Sequence, residues 1–421
     1  MKRQLFIFLI LCAETIMLSA QTKPVPLTLS EFLSGVNKGN LGYAAEQFNV
    51  SIADAQLKAA KVFPDPELSF SYSNNQDQKL FMGQGIDARI SYPISFGNKR
   101  GANISLAKSQ KELAQTALDA YFQNLRAEAT LGYFNAIRQK KLLEVQSEIY
   151  DRMNKLAQAD SLRLKNGSIN ATDARQTKLE ARSQQNLVFQ ADADFQNSLI
   201  YLAQLQGESN TENSISPSGN FPLQKRDFDL NALIQSAIER RADIQLAIRN
   251  KEISEKQLRL IQANRAFEFA IEAGYSHSTE VKNEIAPAPA FNSYSGGITI
   301  PLKLSTLNKG EILAAREAIK QSETSLKDIQ LQITTEVSQA WVAFKASEKQ
   351  MLHYKNGMID EATQILDART YAYQRGETGI SDLLNAQRTF NEVMTEYYET
   401  LYLYTESLVN LEKAAGIWDI D

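Results

Sequence analysis

The chain has 421 residues, 43% of them hydrophobic and 22% charged, with a formal net charge of −4 at pH 7, one Cys and two His. That composition excludes a disordered chain, a disulfide scaffold and a Cys/His metal cage, and the charge balance gives no electrostatic footprint for nucleic acid. Beyond the N-terminus there is no run of about 20 apolar residues, so a conventional helical membrane protein is excluded too.

At the N-terminus Lys2 and Arg3 precede the apolar stretch Leu5–Leu11, and the small residues Ser19-Ala20 stand before Gln21. This predicts a secretory signal peptide over residues 1–20. The only cysteine, Cys12, lies inside that leader behind the large Leu11, which argues against lipidation. The exported chain is then free of cysteine.

Past the leader, the chain is one unit used twice. Leu27-Thr28-Leu29-Ser30-Glu31-Phe32-Leu33 recurs 201 residues later as Phe228-Asp229-Leu230-Asn231-Ala232-Leu233-Ile234. Pro93 then matches Pro301, Gly167 matches Gly376, Asp173 matches Asp382 and Gly207 matches Gly416, at offsets of 208–209. The expected organisation is a first repeat over 21–207, a Ser/Asn/Pro-rich linker over 208–227, a second repeat over 228–416 and a short tail over 417–421.

Within each repeat a short helix comes first, at about 41–62 and 242–264. A strand region comes next, then a long stretch of helix formers without proline, Asn98–Lys165 and Glu311–Gln374. Sixty-eight helical residues make a rod of roughly 100 Å, against a mean helix of about 11–12 residues in compact domains. Each rod turns at a glycine-centred break, Gly167-Ser168 or Gly376 to Gly379, into a further helix at about 170–206 or 380–414. An ordinary long coiled coil would show the same helices.

The strand region separates the readings. Leu68, Phe70 and Tyr72 alternate with serines, and Ile86, Ala88, Ile90 and Tyr92 alternate with Asp87, Arg89 and Ser91. In the second repeat Phe269, Ile271, Ala273 and Tyr275 alternate with smaller or polar residues, as do Tyr294, Ile298 and Ile300. Each segment is about 9–11 residues long, the span of a tilted transmembrane strand. A half-buried soluble sheet alternates in the same way, but here the remainder of the chain is rods and offers the strands nothing to pack on. An open edge in lipid is forbidden, so four strands must close with those of other copies. Strand is expected to end at Pro93 and Pro301, with Gly97 in the turn that leads into the rod.

At these residues the chain resembles the TolC family of outer-membrane efflux proteins: the helix–strand–strand–helix repeat used twice, the Pro93–Arg100 junction with its Phe96-Gly97, and the glycine-centred tips all match. The resemblance implies a mainly α protein with transmembrane β structure. In that architecture a homotrimer shares a 12-stranded β-barrel, four strands per chain, continued by a long α-helical periplasmic barrel. It implies an exit duct in the outer membrane, embedded in its lipid and working with a periplasmic membrane-fusion adaptor and an inner-membrane transporter of the RND or ABC type. Small molecules such as drugs or metal ions are the implied cargo, with polypeptide secretion as an alternative.

By the same resemblance Tyr373, Asp382 and Asn385 fall at the periplasmic entrance, where Asp382 keeps the acidic ring position and Asn385 replaces a second acid. The family's gating Arg falls on Thr378, with Arg375 nearby, and Asp173 matches an acid that holds the closed state through Tyr373 or Arg375. Gly167, Ser168, Gly376 and Gly379 become adaptor-contacting tips. No catalytic constellation, cofactor motif or metal spacing is present in the sequence, so no enzyme and no cofactor are expected; His353, between Met351 and Met358, reads as packing. A soluble periplasmic coiled-coil scaffold or adaptor is the rival from another class, and it leaves the four strands unexplained.

Overall fold

The computed structural model describes residues 26–74, 81–209, 216–223, 226–302 and 308–420. The expected signal peptide with Cys12, part of the first interstrand loop, part of the linker, the segment 303–307 and the last residue lie outside the described residues. Two compact units emerge, one drawn from Met1–Glu46, Ala120–Arg241 and Gln332–Asp421, the other from Gln47–Asp119 and Ala242–Leu331. Each repeat contributes to both units.

The elements run β1 (Pro26–Leu27), α1 (Leu29–Gly39), α2 (Leu41–Ala60), β2 (Glu67–Asn74), β3 (Gln84–Ser95), α3 (Lys99–Lys165) and α4 (Ala171–Leu205) in the first repeat. The linker holds β4 (Ser216–Pro217). The second repeat gives α5 (Leu230–Arg240), α6 (Ala242–Ala263), β5 (Glu268–Ser278), β6 (Phe291–Thr299), α7 (Lys309–His353), α8 (Ile359–Arg375) and α9 (Ile380–Ala415). The repeated heptapeptide is a helix start. Thr28 caps α1 in a capping box with Glu31, and Asp229, at the matching position, accepts the Ala232 N–H at 2.9 Å to cap α5.

In the first unit β1 and β4 pair in parallel, Pro26 with Ser216 and Leu27 with Pro217. The buried Tyr133 hydroxyl donates to the Leu27 carbonyl at 2.7 Å and accepts the Ser218 N–H at 3.2 Å, so one phenol fastens the start of the described chain to the linker. Arg226, beyond β4, reaches the fully buried Glu412 of α9 at 2.6 Å. Burial pushes the Glu412 carboxyl above the usual range, against the pull of Arg226.

The long helix of the first repeat is continuous over 67 residues. Its counterpart is not. The expected rod Glu311–Gln374 is interrupted by a π-type turn at Tyr354–Met358, where Gly357 has φ 121°. Only glycine occupies that region freely, and an extra residue inserted into the i→i−4 ladder bends the helix at that point.

The second unit carries a four-stranded antiparallel sheet in the order β2-β3-β5-β6. Leu68 pairs with Ile90, Phe70 with Ala88, Ala88 with Tyr275, Ile90 with Ala273, Tyr92 with Ile271 and Ile271 with Ile298. Residues directly opposed share a face, so these pairs place one apolar side across all four strands. Phe70 is 71% exposed and Tyr294 84% exposed, although both belong to that side. The opposite side aligns Ser69, Arg89, Gly274 and Ser295 in one row, and Glu67, Ser91, Glu272 and Gly297 in the next. Arg89 pairs with Glu272 at 3.3 Å on that polar side, and the Thr299 hydroxyl donates to Glu272.

Strand β3 does not end at Pro93 as expected. It continues to Ser95, with Pro93 opposite Ala270 of β5. The reason is the length of its other neighbour: β2 begins pairing only at Ser91, so the residue without an N–H stands where no ladder partner waits. Pro301 lies beyond the end of β6, as expected. Gly97 has φ 72°, and a Cβ there would lie 2.1 Å from that of Ala266, so the turn out of β3 admits no side chain. Arg100 then donates to the Lys61 carbonyl and lays its guanidinium 4.0 Å over the Phe63 ring, tying the start of α3 to the end of α2.

Candidate functional site

The candidate site is the pair of interhelical turns in the first unit. In the first turn Gly167 takes φ 68°, the Ser168 N–H returns to the Arg163 carbonyl at 2.8 Å, and Asn170 caps α4 by accepting the Asp173 N–H at 2.8 Å. The Asp173 carboxylate accepts from the Asn170 amide at 3.0 Å in the first turn of that helix, where the helix dipole favours an anion. In the second turn Gly376 takes φ 78° and the Glu377 N–H returns to the Ala372 carbonyl at 2.9 Å. Gly379 caps α9 without a side chain. Both expected tips are therefore turns of one design: a left-handed glycine ends one helix and a short extended segment starts the next.

Helical periodicity sorts the residues of the second turn. Ile380, Leu383, Leu384 and Gln387 are buried, and Asp382 and Asn385 share the exposed side three residues apart. The buried side packs against Val145, Ile149 and Met153 of α3, Ala181 of α4 and Leu366 of α8. Tyr373 belongs to this core and is 4% exposed.

Within one chain Tyr373 bonds an acid other than Asp173. The Tyr373 hydroxyl donates to Asp160 Oδ2 at 2.8 Å. Asp160 is fully buried; its other oxygen meets Arg163 at 3.3 Å, and that guanidinium also lies 5.3 Å from the Tyr373 ring centre. Burial, reinforced by the adjoining carboxylate, pushes the Tyr373 phenol above its ordinary range, which keeps it a proton donor. Arg375 instead faces Glu377 at 3.6 Å and Tyr371 at 4.9 Å, both exposed. The physical reason is helix register. Ile149, Met153, Ala157 and Asp160 form one buried stripe along α3, and Tyr373 on α8 meets the last of them inside the core.

Asp160 was not singled out in the sequence. The signal that could have found it is an acid on the apolar stripe of a long helix, which demands a buried partner. Among the described residues no group of three or more His, Cys, Asp or Glu could hold a metal, and His353 is exposed at the end of α7. No helix among the described residues is long and apolar enough to cross a membrane.

A sheet apolar on one side and polar on the other, in a chain whose paired helices turn at glycine tips, defines a duct-forming class of outer-membrane proteins. The outer membrane efflux protein family model matches residues 37–208 and 233–417, and the chain belongs to that family. It is similar to the cobalt-zinc-cadmium resistance protein CzcC of Cupriavidus metallidurans, with 23% identity over 93% of this chain and 90% of that protein. Among solved structures it resembles the CmeC outer membrane channel of Campylobacter jejuni, with TM-score 0.76, 15% identity and coverage of 92% of this chain and 85% of that one. It also resembles CusC, with TM-score 0.75, 16% identity and coverage of 93% and 92%. The chain is thus an outer-membrane exit duct of an efflux system, which removes the soluble-scaffold reading.

Proposed function

We propose that three copies of the chain close a 12-stranded barrel and that this duct releases divalent metal cations delivered by an RND-type inner-membrane pump through a periplasmic membrane-fusion adaptor. The observation that carries the assembly is the sheet of the second unit: its apolar side is exposed and its outer strands, β2 and β6, have no further strand beside them among the described residues. In lipid such edges must be paired, which copies of the same sheet accomplish. The cargo is inferred from the similarity to CzcC, which extends over nearly the whole of both chains.

In this duct Asp382, exposed in the first turn of α9, contributes one carboxylate per copy at the entrance and favours cations over anions. Asn385 on the same side adds an uncharged polar group. The Tyr373–Asp160 hydrogen bond latches α8 to α3, while Asp173 and Arg375 stand at the surface of the two turns. Gly167, Ser168, Gly376 and Gly379 form the adaptor-contacting tips, and the polypeptide cargo of a secretion duct is the competing outcome.

Two measurements test this. A heat-modifiable trimer in outer-membrane fractions is expected, and a monomer there defeats the assembly. Deleting the gene should lower the inhibitory concentrations of zinc, cobalt and cadmium. Unchanged metal tolerance together with a lost secreted polypeptide or new sensitivity to organic toxicants overturns the cargo.

A further inference from the structure

On the apolar side of the sheet, β3 carries Ile94 and β5 carries Phe269 as direct partners, and the Phe96 N–H extends the ladder by one step to the Phe267 carbonyl at 3.1 Å. Phe96, Phe267 and Phe269 therefore close the helix end of that side as a ring cluster, with centroids 5.6–6.3 Å apart. The residues immediately beyond them, Gly97 and Ala266, form part of a cleft of about 830 Å³ between the start of α3 and the end of α6. Three cations line this cleft: Lys256, Arg259 and Arg265. No Asp or Glu is among its described lining residues. Lys256 lies 3.8 Å from Glu252, whereas Arg259 and Arg265 are exposed and have no acidic partner among the described residues. The first N–H groups of the 67-residue α3 open on the same place, adding the positive end of a long helix to the three side chains. At its edge Gly97 packs directly on Ala266, where a Cβ would lie 2.1 Å from the Ala266 Cβ.

We propose that this cleft binds the phosphate of an anionic glycerophospholipid from the periplasmic leaflet, with the acyl chains lying along the phenylalanine cluster and the apolar side of the sheet. An aromatic belt followed at once by unpaired guanidinium groups matches the order of a lipid met from its tails outward, apolar chain, interface, then phosphodiester. Arginine's planar fork suits two phosphate oxygens, and nothing in the cleft offsets its charge. The site goes beyond the duct function, but it rests on the reading that the apolar side of the sheet faces lipid in the assembled barrel.

The test is native mass spectrometry of the intact purified assembly titrated with phosphatidylglycerol, with phosphatidylcholine as the lipid of no net charge and inorganic phosphate as the free anion. Phosphatidylglycerol adducts should persist on the wild type in preference to phosphatidylcholine. They should weaken about thirtyfold in the double variant Arg259→Gln/Arg265→Gln, from a contribution of about one kcal/mol for each of the two cations. Equal retention by variant and wild type overturns the site, and displacement of the lipid by millimolar inorganic phosphate assigns it to a free anion instead. Assembly is scored separately as heat-stable oligomer, so a missing barrel and a missing lipid are distinguishable. If the double variant does not assemble, the single variants, each at an exposed position, must each show a partial loss or the proposal fails.

Discussion

The two long arms of the chain descend from one repeated unit, yet they are not mechanically equal. The first, α3, carries an unbroken hydrogen-bond ladder over 67 residues. The second is divided into α7 and α8 by the turn at Tyr354–Met358. A continuous ladder spreads bending over its whole length, whereas a left-handed glycine in a π-type turn concentrates it at one place. The buried latch joins the two kinds of arm, with Asp160 on the unbroken helix and Tyr373 on the short segment beyond the break. Duplication thus preserved caps and tips, and the difference between the copies lies in where each can bend.

The largest test of that contrast is the packing of the short segment. Leu366→Ala removes a side chain that is 1% exposed and should cost about 2–5 kcal/mol of tip stability, read by hydrogen exchange in α8 and α9. Leu162→Ala on the exposed side of the first arm should stay within about 0.5 kcal/mol. Equal losses at both positions would abolish the distinction.

Tyr373→Phe comes next. It leaves Oδ2 of the buried Asp160 carboxylate without its donor, while Arg163 keeps the other oxygen, and should cost about 1–3 kcal/mol; it should also raise single-channel conductance by loosening the latch. Asp173→Ala is expected to raise conductance less, because no bond from Tyr373 reaches it within the chain; the reverse order would restore the expected Asp173 contact. The same phenol gives a pH signature. Its folded pKa is raised, so its stabilisation is complete below about pH 10, the ordinary tyrosine value, and is lost as pH rises through the folded value. That alkaline decline should be shallower in Tyr373→Phe, compared by unfolding above pH 10.

Gly357→Ala forces a side chain into φ 121° and should destabilise the second arm by about 1–3 kcal/mol. Exchange protection should fall around the turn, while Glu148→Ala, 209 residues earlier on the unbroken arm, should leave protection there unaltered. The smallest effect is electrostatic. Asp382→Asn should lower cation selectivity by a few millivolts of reversal potential in a salt gradient; an unchanged potential removes this carboxylate from the entrance.

Much of this architecture could be read before any coordinates. Alternation placed Leu68, Phe70 and Tyr72 on one side of a strand because the pleat has a period of two. Gly167 and Gly376 marked the tips because a helix ends readily in the left-handed region. The limits were physical as well. Asn356-Gly357 is a turn dipeptide, but it sat inside a long run of helix formers whose summed preference concealed it. The extension of β3 past Pro93 depends on where a neighbouring strand begins, which no local pattern encodes. The partner of Tyr373 lies 213 residues away and is fixed by the register of two packed helices. The resemblance pointed to Asp173, one turn from the tip, whereas the apolar stripe of α3 led to Asp160.

The outer strands of the sheet, with no further strand beside them among the described residues, also bear on inheritance. A barrel whose seams lie between subunits is only as sound as its worst chain. If the barrel is the proposed assembly of three copies, then in a cell that makes normal and seam-defective copies in equal amount, random assembly leaves about one barrel in eight wholly normal. A charged residue placed on β2 or β6 should therefore behave as a dominant allele, silencing efflux in the presence of an intact gene. A defect confined to the channel's inner surface in one subunit out of three should be milder.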